Sequence, residues 1–420
     1  MKFVSSSINR RATVALMVAF VVTPVSAAAD VVLDWNAIAL ATIRNQNPFA
    51  QARFAAIAQL AVFEAVNAIT GECEPYLGTI SAPAGASADA AAIAAAHKVL
   101  VSYFPTSAPT LDAARVSSLA AIPDGPAKTD GIATGEASAE AIVSLRANDG
   151  SALLALFFPS SSSPGEWQLT PSCTLGGGLF FNWGRVTPFA IPMLEEFRAP
   201  APPDLASAVY ARDYEEVRRV GAIDSLERPQ DRADVARFYG LTSGSALWNS
   251  AARQVAAAQG KSLSHNAWSL ALLNIAISDS LVASFEAKYH YRMWRPETAI
   301  HDGHLDGNPK TDPDADFAPF IVTPCFPAYP SAHASSAYAA LNVLTPLYDG
   351  GGHTVVLSNA NVPNVTLYYT RFKAIADDID DARVYGGIHF RFDQEGGARQ
   401  GKAVAAYILK NTLRRLNVPE

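Results

Sequence analysis

The chain has few charged residues, few cysteines and few β-branched runs. Only 17% of its 420 residues are charged, whereas 50% are hydrophobic. Such a chain can bury a large core, as one large domain or as two closely packed ones. Alanine is abundant, which favours helix over strand. The formal net charge is −7, and an acidic surface argues against nucleic acid or an anionic membrane as a partner.

The three cysteines are Cys73, Cys173 and Cys325, and no Cys-x-x-Cys pair occurs. The lack of such a pair argues against zinc and iron–sulfur centres. Three cysteines allow one disulfide in an exported protein and leave one thiol. We expect Cys73 to pair with Cys173, because both lie in Gly/Pro-rich loop sequence, and Cys325 to be a small buried thiol.

Residues 1–29 have the pattern of a secretory signal peptide. A basic segment ending at Arg11 precedes a short apolar core, Ala12 to Val22, and small residues around Ala27 offer a cleavage site. The apolar core is too short for a convincing membrane span, and a retained N-terminal anchor is the alternative. We expect a secreted or periplasmic protein with no membrane partner, in which residues 30–420 form one helical unit.

The rest of the chain predicts helices on both sides of a proline-rich segment. Residues 34–148 are helical in character, and residues 158–203 contain eight prolines and scattered aromatic residues. That composition excludes regular helix but suits an ordered, packed connection. We predict an all-α fold of two packed helical bundles with a proline-rich central connection. Apolar residues recur at helical spacing in segments 51–69, 86–103, 129–148, 205–220, 233–239, 245–259, 264–289, 331–344, 370–381 and 397–413.

The first of three chemically informative segments runs from Lys288 to Pro296. Lys288 and Arg295 are seven residues apart, nearly two helical turns, so a helix through both would project them from one face. Pro296 would then stop or bend that helix. Two cations on one face can bind an anion, and a solvated surface stripe is the alternative.

The second segment is Pro330-Ser331-Ala332-His333, which stands directly before an alanine-rich helical pattern. The free N–H groups of a first helical turn bind anions, and the Ser331 hydroxyl would add a donor. His333 would then lie beside the anion. The alternative is an ordinary helix start with a surface histidine.

The third segment contains Arg383 and His389, which are six residues apart and so do not share a helix face. Gly386-Gly387 lies between them and lets the backbone turn, so the two side chains can converge from a loop. A helix end with a stray histidine is the alternative. The candidate residues of the three segments are three cations (Lys288, Arg295 and Arg383), two imidazoles (His333 and His389) and the Ser331 hydroxyl. This set suits a tetrahedral oxyanion such as phosphate or vanadate.

The ordered set resembles the signature shared by vanadium-dependent haloperoxidases and acid phosphatases of the type 2 phosphatidic acid phosphatase superfamily. That signature is Lys, six residues, Arg-Pro, then Pro-Ser-Gly-His, then Ser-Arg, five residues, His. Two positions differ, because Ala332 replaces the glycine and Ala382 replaces the serine. The resemblance covers about residues 280–400. Alanine keeps the backbone N–H of the glycine position but narrows the space above the anion.

The resemblance implies a catalytic role for three residues. His389 would be the vanadium ligand or, in a phosphatase, the nucleophile that takes the phosphoryl group. His333 would be the acid–base group that takes a proton from hydrogen peroxide. Lys288 would polarise the bound peroxide for attack by a halide. The implied vanadate-binding set is Lys288, Arg295, Ser331, Ala332, Arg383 and His389.

The surroundings of the signature resemble the chloroperoxidase branch of the vanadium enzymes. Phe326 stands where that branch places an aromatic residue beside the halide, and Phe285 falls where those enzymes look to have tryptophan. The resemblance therefore implies oxidation of bromide or iodide, with chloride left open, by hydrogen peroxide to a hypohalous species that halogenates a small organic acceptor. A homodimer is one expected assembly. The alternatives are a secreted acid phosphatase with a phosphohistidine intermediate and an anion-binding relative without turnover.

Overall fold

The structure is a computed structural model that describes residues 30–348 and 352–416. The predicted signal peptide, residues 1–29, lies outside the described residues, so export stays a prediction, as does the division at residue 30. Within the described ranges the chain forms thirteen α-helices and one short β-hairpin. The prediction of an all-α fold is confirmed.

The N-terminal bundle is built from helices whose ends are marked by local capping groups. Asp30 caps the first helix by accepting from the Val32 and Leu33 N–H groups. The second helix, α2, ends at Gly71, which adopts a left-handed φ of 65°, a conformation that glycine adopts without steric penalty. α2, α3 and α5 pack against one another. The bundle comprises α1 (Val31–Ile43), α2 (Pro48–Thr70), α3 (Ala88–Tyr103), α4 (Ala108–Leu119) and α5 (Pro126–Leu145).

The proline-rich central connection is ordered, as predicted, and contains only two short 3₁₀ helices, Phe181–Arg185 and Leu194–Phe197. Its aromatic residues Trp167, Trp183 and Phe189 are buried. The buried carboxylate of Asp279 accepts hydrogen bonds from the Phe189, Ala190 and Ile191 N–H groups at 2.7, 2.7 and 3.1 Å. One acidic side chain thus anchors a stretch of backbone that no helix or sheet could satisfy.

The C-terminal bundle is organised around the long helix α9, which packs on α11, α13 and also on α2 of the first bundle. One continuous apolar core therefore spans both bundles. The helices are α6 (Ala208–Val220), α7 (Gln230–Gly240), α8 (Gly244–Gln259), α9 (Leu263–Tyr291), α10 (Pro296–His301), α11 (Ala332–Leu347), α12 (Phe372–Val384) and α13 (Arg391–Asn411). Strands β1 (Val355–Ser358) and β2 (Thr366–Tyr369) pair antiparallel, with Val355 opposite Tyr369.

Helices α11 and α13 approach so closely that only glycine fits at two positions of α13. A Cβ on Gly397 would lie 2.3 Å from the Ser331 carbonyl oxygen, and one on Gly401 would lie 2.1 Å from the Ser335 carbonyl oxygen. The predicted start of this helix at residue 397 is therefore too late, because glycines that look like helix breakers serve close packing instead. Their packing fixes the start of α11 against α13.

The predicted cysteine pairing is wrong. Cys173 and Cys325 form the disulfide, and Cys73 is the buried free thiol. The Cys73 backbone is held within the first bundle by Asn67, which exchanges two hydrogen bonds of 2.9 Å with it. The Leu179 N–H donates to the Cys325 carbonyl at 2.8 Å, so the central connection runs beside Cys325 in space although the two lie far apart in sequence.

Two described helices, α2 and α9, are long and apolar enough to cross a membrane by length and composition. Their most apolar windows are 83% and 94% buried inside the protein. Both are therefore accounted for as core helices.

Candidate anion site

The predicted shared helix face for Lys288 and Arg295 is wrong. Helix α9 ends at Tyr291, and Arg292 adopts a left-handed φ of 51° that redirects the chain. Lys288 lies in the last turn of α9, whereas Arg295 is the N-cap residue of α10. The turn between the two helices, rather than a common helix, brings these cations together.

Backbone carbonyls of residues 326–328 hold the two cations in place. The Lys288 Nζ donates to the Pro327 and Ala328 carbonyls at 2.8 and 2.7 Å. The Arg295 Nε donates to the Phe326 carbonyl at 2.8 Å. Carbonyls are neutral acceptors, so they orient both cations without cancelling their charge.

The second predicted segment starts helix α11. Ser331 is its N-cap residue, and its Oγ accepts from the Ala334 N–H at 3.3 Å. The Ser331 hydroxyl proton remains free to donate elsewhere, and Ala332 is the first helical residue, whose N–H has no acceptor within the helix. The Ser331 N–H donates to the Asp393 carbonyl at 2.9 Å, which ties this helix start to α13.

Arg383 and His389 converge through a turn, as predicted from the glycines between them. Arg383 lies in the last turn of α12, and Gly387 takes a φ of 77°. A Cβ on Gly387 would lie 2.3 Å from the Gly221 carbonyl oxygen, so this position requires glycine in both conformation and space. The Arg383 Nη1 lies 3.4 Å from His333 Nε2.

His389 is oriented by a buried carboxylate that the sequence analysis did not single out. The His389 Nδ1–H donates to Asp393 Oδ2 at 2.9 Å, and the same oxygen accepts from the Phe390 N–H at 2.9 Å. Holding the proton on Nδ1 leaves the Nε2 lone pair facing Arg295, whose Nη1 donates to it at 3.0 Å. The available signal for Asp393 was that of an acidic residue in the first turn of a helix, which does not reveal its contact with His389.

The strongest chemical feature of the site is a set of buried guanidinium nitrogens without acceptors. Arg295 Nη2, Arg383 Nε and Arg383 Nη2 have no hydrogen-bond partner among the described residues. The exposed fractions of Lys288, Arg295 and Arg383 are 0%, 0% and 2%. A buried donor without a partner is destabilising, and more so when it is charged. The donor set therefore fits an oxyanion, and vanadate or phosphate has the charge and the acceptor oxygens to satisfy it.

The environment of both imidazoles favours their neutral form. Burial holds the pKa of His333 well below its usual range, and the cations of Arg383, Lys288 and Arg295 add to the effect. Burial, followed by the same three cations, likewise lowers the pKa of His389. Burial and the neighbouring Arg295 also lower the pKa of Lys288. A bound anion would oppose the repulsion among these groups.

A cavity of about 680 Å³ has Ala332, His333 and Arg383 among its lining residues. Phe326 also lines it, and its ring centroid lies 5.3 Å from Lys288 Nζ. Phe285 is fully buried behind Phe326, with the two ring centroids 5.0 Å apart. Of the two residues assigned to a halide site, Phe326 borders the cavity and Phe285 supports it from behind.

Comparison with known proteins agrees with this arrangement of helices. A family model for the VCPO second helical-bundle domain matches residues 268–417, the segment that holds every residue of the anion site. Residues 268–417 are therefore similar to that domain family. No curated protein sequence matches the chain.

Solved structures extend the likeness to the whole fold. A bacterial vanadium-dependent iodoperoxidase superposes with a TM-score of 0.76 at 23% identity, covering 93% of this chain and 97% of that one. A bacterial vanadium-dependent chloroperoxidase in its holo form gives a TM-score of 0.67 at 15% identity, covering 86% and 91%. The predicted resemblance to vanadium haloperoxidases is confirmed; at these identities the structural likeness shows the fold.

Proposed function

We propose that this protein is a vanadate-dependent haloperoxidase, in which hydrogen peroxide oxidises a halide to a hypohalous species that halogenates a small organic acceptor. The observation that carries the proposal is the set of unsatisfied guanidinium nitrogens of Arg295 and Arg383 beside the Nε2 atom of His389. Structural similarity to proteins described as an iodoperoxidase and a chloroperoxidase supports it.

Each member of the proposed vanadate site has a distinct task. His389 Nε2 would be the protein ligand that holds vanadate, since Asp393 keeps the ring proton on Nδ1. The anion oxygens would be bound by the remaining donors, which are Lys288, Arg295, Ser331, Ala332 and Arg383. Bound vanadate would supply a Lewis acid that activates hydrogen peroxide without changing oxidation state.

His333 is suited to act as the proton acceptor. A neutral imidazole can take a proton from hydrogen peroxide, and His333 lines the cavity by which peroxide would arrive. Its contact with Arg383 at 3.4 Å disfavours the protonated ring while the site is cationic. Anion binding would reduce that repulsion and bring the His333 pKa back toward the working range.

The halide in this proposal is bromide or iodide, with chloride the hardest of the three to oxidise. The Phe326 ring borders the cavity and lies close to Lys288. This position suits a large, weakly hydrated anion that gains from an apolar wall and a nearby cation. A halide series in the assay decides among the three ions.

An acid phosphatase is the second candidate, because the same cradle holds phosphate. His389 with its Nε2 unprotonated could then attack phosphorus, and His333 would protonate the leaving group. That role requires a protonated His333, which burial and the surrounding cations oppose in the anion-free site. Bound phosphate would reduce this effect as bound vanadate would, so the pKa of His333 does not separate the two candidates. Ala332 also lines the cavity beside His333, and its methyl group would narrow the space available to an ester group.

A paired assay tests both functions on the purified protein. The protein loaded with orthovanadate is given hydrogen peroxide and then iodide, bromide or chloride, while halogenation of a dye is followed. The vanadate-free protein is given a phosphomonoester. We expect vanadate-dependent halogenation that His389→Ala abolishes and His304→Ala, at an exposed histidine, leaves intact. Phosphate release without halogenation would establish the phosphatase instead.

We also propose that the protein is exported and forms a homodimer. The disulfide between Cys173 and Cys325 supports export, since such bonds persist in oxidising compartments. The mass of the mature protein from a secreting host tests cleavage near residue 29, and light scattering gives the assembly. A full-length cytosolic product would contradict export, and a monomer at micromolar concentration would contradict the dimer.

A further inference from the structure

The cavity above His333 is much larger than the proposed small reactants require. It encloses about 680 Å³, whereas hydrogen peroxide has only two heavy atoms and a halide is a single ion. Cavities in the range of about 300–1,000 Å³ hold organic molecules. The volume therefore leaves room for a third, larger molecule beside the reacting groups.

An aromatic wall forms one side of this cavity and consists of Phe49, Phe180 and Phe326. The ring centroids of Phe49 and Phe180 lie 4.4 Å apart, and those of Phe180 and Phe326 lie 6.4 Å apart. The wall has no hydrogen-bonding groups for water or peroxide, but a flat aromatic molecule can stack against its rings.

Phe180 occupies a backbone conformation that aromatic residues seldom adopt. Its φ is 58°, in the left-handed region that normally favours glycine. Residues held in this way concentrate at functional sites. The preceding N–H, that of Leu179, donates to the Cys325 carbonyl, so the backbone that presents Phe180 is tied to the loop that presents Phe326.

Charge in the cavity is of one sign. Its lining includes Arg383 near the anion site and Arg237, whose charge is partly offset by Asp234 at 3.6 Å, and among the described residues the lining includes no carboxylate. The binding of a cationic amine would therefore be disfavoured, whereas a hydroxyl or phenolate oxygen would be attracted by the positive charge. An electron-rich ring with a hydroxyl group matches both the wall and the charge.

We propose that this cavity binds the organic acceptor, a phenol or naphthol, so that halogenation takes place inside the protein; this deepens the proposed function and rests on it. The hypohalous acid formed at the anion site transfers its halogen to a ring carbon of the bound molecule. The carbon–halogen bond forms as the oxygen–halogen bond breaks, and the displaced ring proton combines with the released hydroxide to give water.

Binding of 1-naphthol is the first test and does not depend on turnover. The vanadate-free protein is saturated with inorganic phosphate, and naphthol fluorescence is titrated against it. Phe180→Leu removes a ring from the wall, so the dissociation constant should rise about twofold to tenfold. Phe181→Leu is the matched control, because Phe181 packs on Phe157 and Tyr289 instead, and its dissociation constant should be unchanged.

The product isomers provide the second test. The vanadate-loaded enzyme should give an isomer ratio of brominated 1-naphthol different from that of reagent hypobromous acid, and Phe180→Leu should move the ratio toward the reagent value. Equal ratios together with unsaturable binding would overturn the acceptor site while leaving the haloperoxidase intact. Saturable, Phe180-dependent binding without bromide oxidation would uphold the acceptor site and refute the proposed chemistry.

Discussion

Replacing Arg383 by methionine should stabilise the anion-free protein and weaken its response to an oxyanion. Arg383 is 2% exposed and makes no ion pair with any described residue. Its Nε and Nη2 have no acceptor there, and its Nη1 makes only a 3.4 Å contact with His333. The wild-type fold therefore holds a buried cation that no described residue neutralises, whereas a bound anion would neutralise it.

The two effects have opposite signs and separate magnitudes. Substituting a buried, poorly compensated charge with an apolar side chain of similar volume is neutral or stabilising by about 1–4 kcal/mol. Removing one charged hydrogen-bonding partner from a buried complex weakens binding by about 2–5 kcal/mol. Phosphate at 100 times its wild-type dissociation constant should stabilise the wild type by about 2.7 kcal/mol. Most of that gain should disappear in Arg383→Met.

Chemical denaturation with and without phosphate measures both quantities, and Lys410→Met is the control. Lys410 is an exposed cation, so its loss should change stability by no more than about 0.5 kcal/mol and leave the phosphate effect intact. If Arg383→Met is less stable than the wild type without anion and gains as much from phosphate, Arg383 is a structural residue. The unsatisfied buried charge of Arg383 would then not destabilise the anion-free protein.

Three further predictions concern pH, the disulfide and the alanine of the cavity. The pKa values of His333 and His389 are lowered, so below about pH 6.5 the unfolded chain binds more protons. The free energy of unfolding of the anion-free protein should therefore fall as the pH is lowered below about 6.5. His333→Gln should reduce the slope of this free energy against pH in a series of denaturation curves, and an unchanged slope would contradict the prediction. Replacing Cys173 and Cys325 by serine should cost about 2–5 kcal/mol and weaken phosphate binding measured by calorimetry, whereas intact binding would show that the 326–328 loop needs no tether. Ala332→Gly should raise phosphomonoesterase kcat/KM, and a decrease would refute steric restriction by the methyl group.

Helical periodicity predicted the architecture because most helices present a regular apolar face to one core. It failed where the determining contact lies elsewhere in the chain. In the sequence, Gly397 and Gly401 look like helix breakers. In the structure they lie inside α13, where the close approach of α11 leaves no room for a Cβ atom. The β1–β2 hairpin has strands of only four residues, too short to stand out from a loop. The pairing of Cys173 with Cys325 depends on the course of the central connection.

The site followed from residue order more reliably than from local geometry. Lys288 and Arg295 converge although the helix proposed to carry both ends at Tyr291. The left-handed turn at Arg292 and the backbone carbonyls of residues 326–328 bring the two cations together instead. Spacing within one element could not reveal this, because the contacts are made between elements. Asp393 was overlooked for the same reason, since its carboxylate matters only once His389 turns toward the anion site.

The balance of charges explains why this cradle should favour an oxyanion that stays bound. The described site gathers three buried cations, two imidazoles with lowered pKa values and the carboxylate of Asp393. Burial raises the pKa of that carboxyl, so it offsets less of the positive charge than a fully ionised group would. A trianionic or dianionic oxyanion restores the balance and satisfies the free guanidinium donors in one step. Tight retention serves a cofactor such as vanadate, whereas a phosphatase must release phosphate after each turnover, and this difference favours the haloperoxidase.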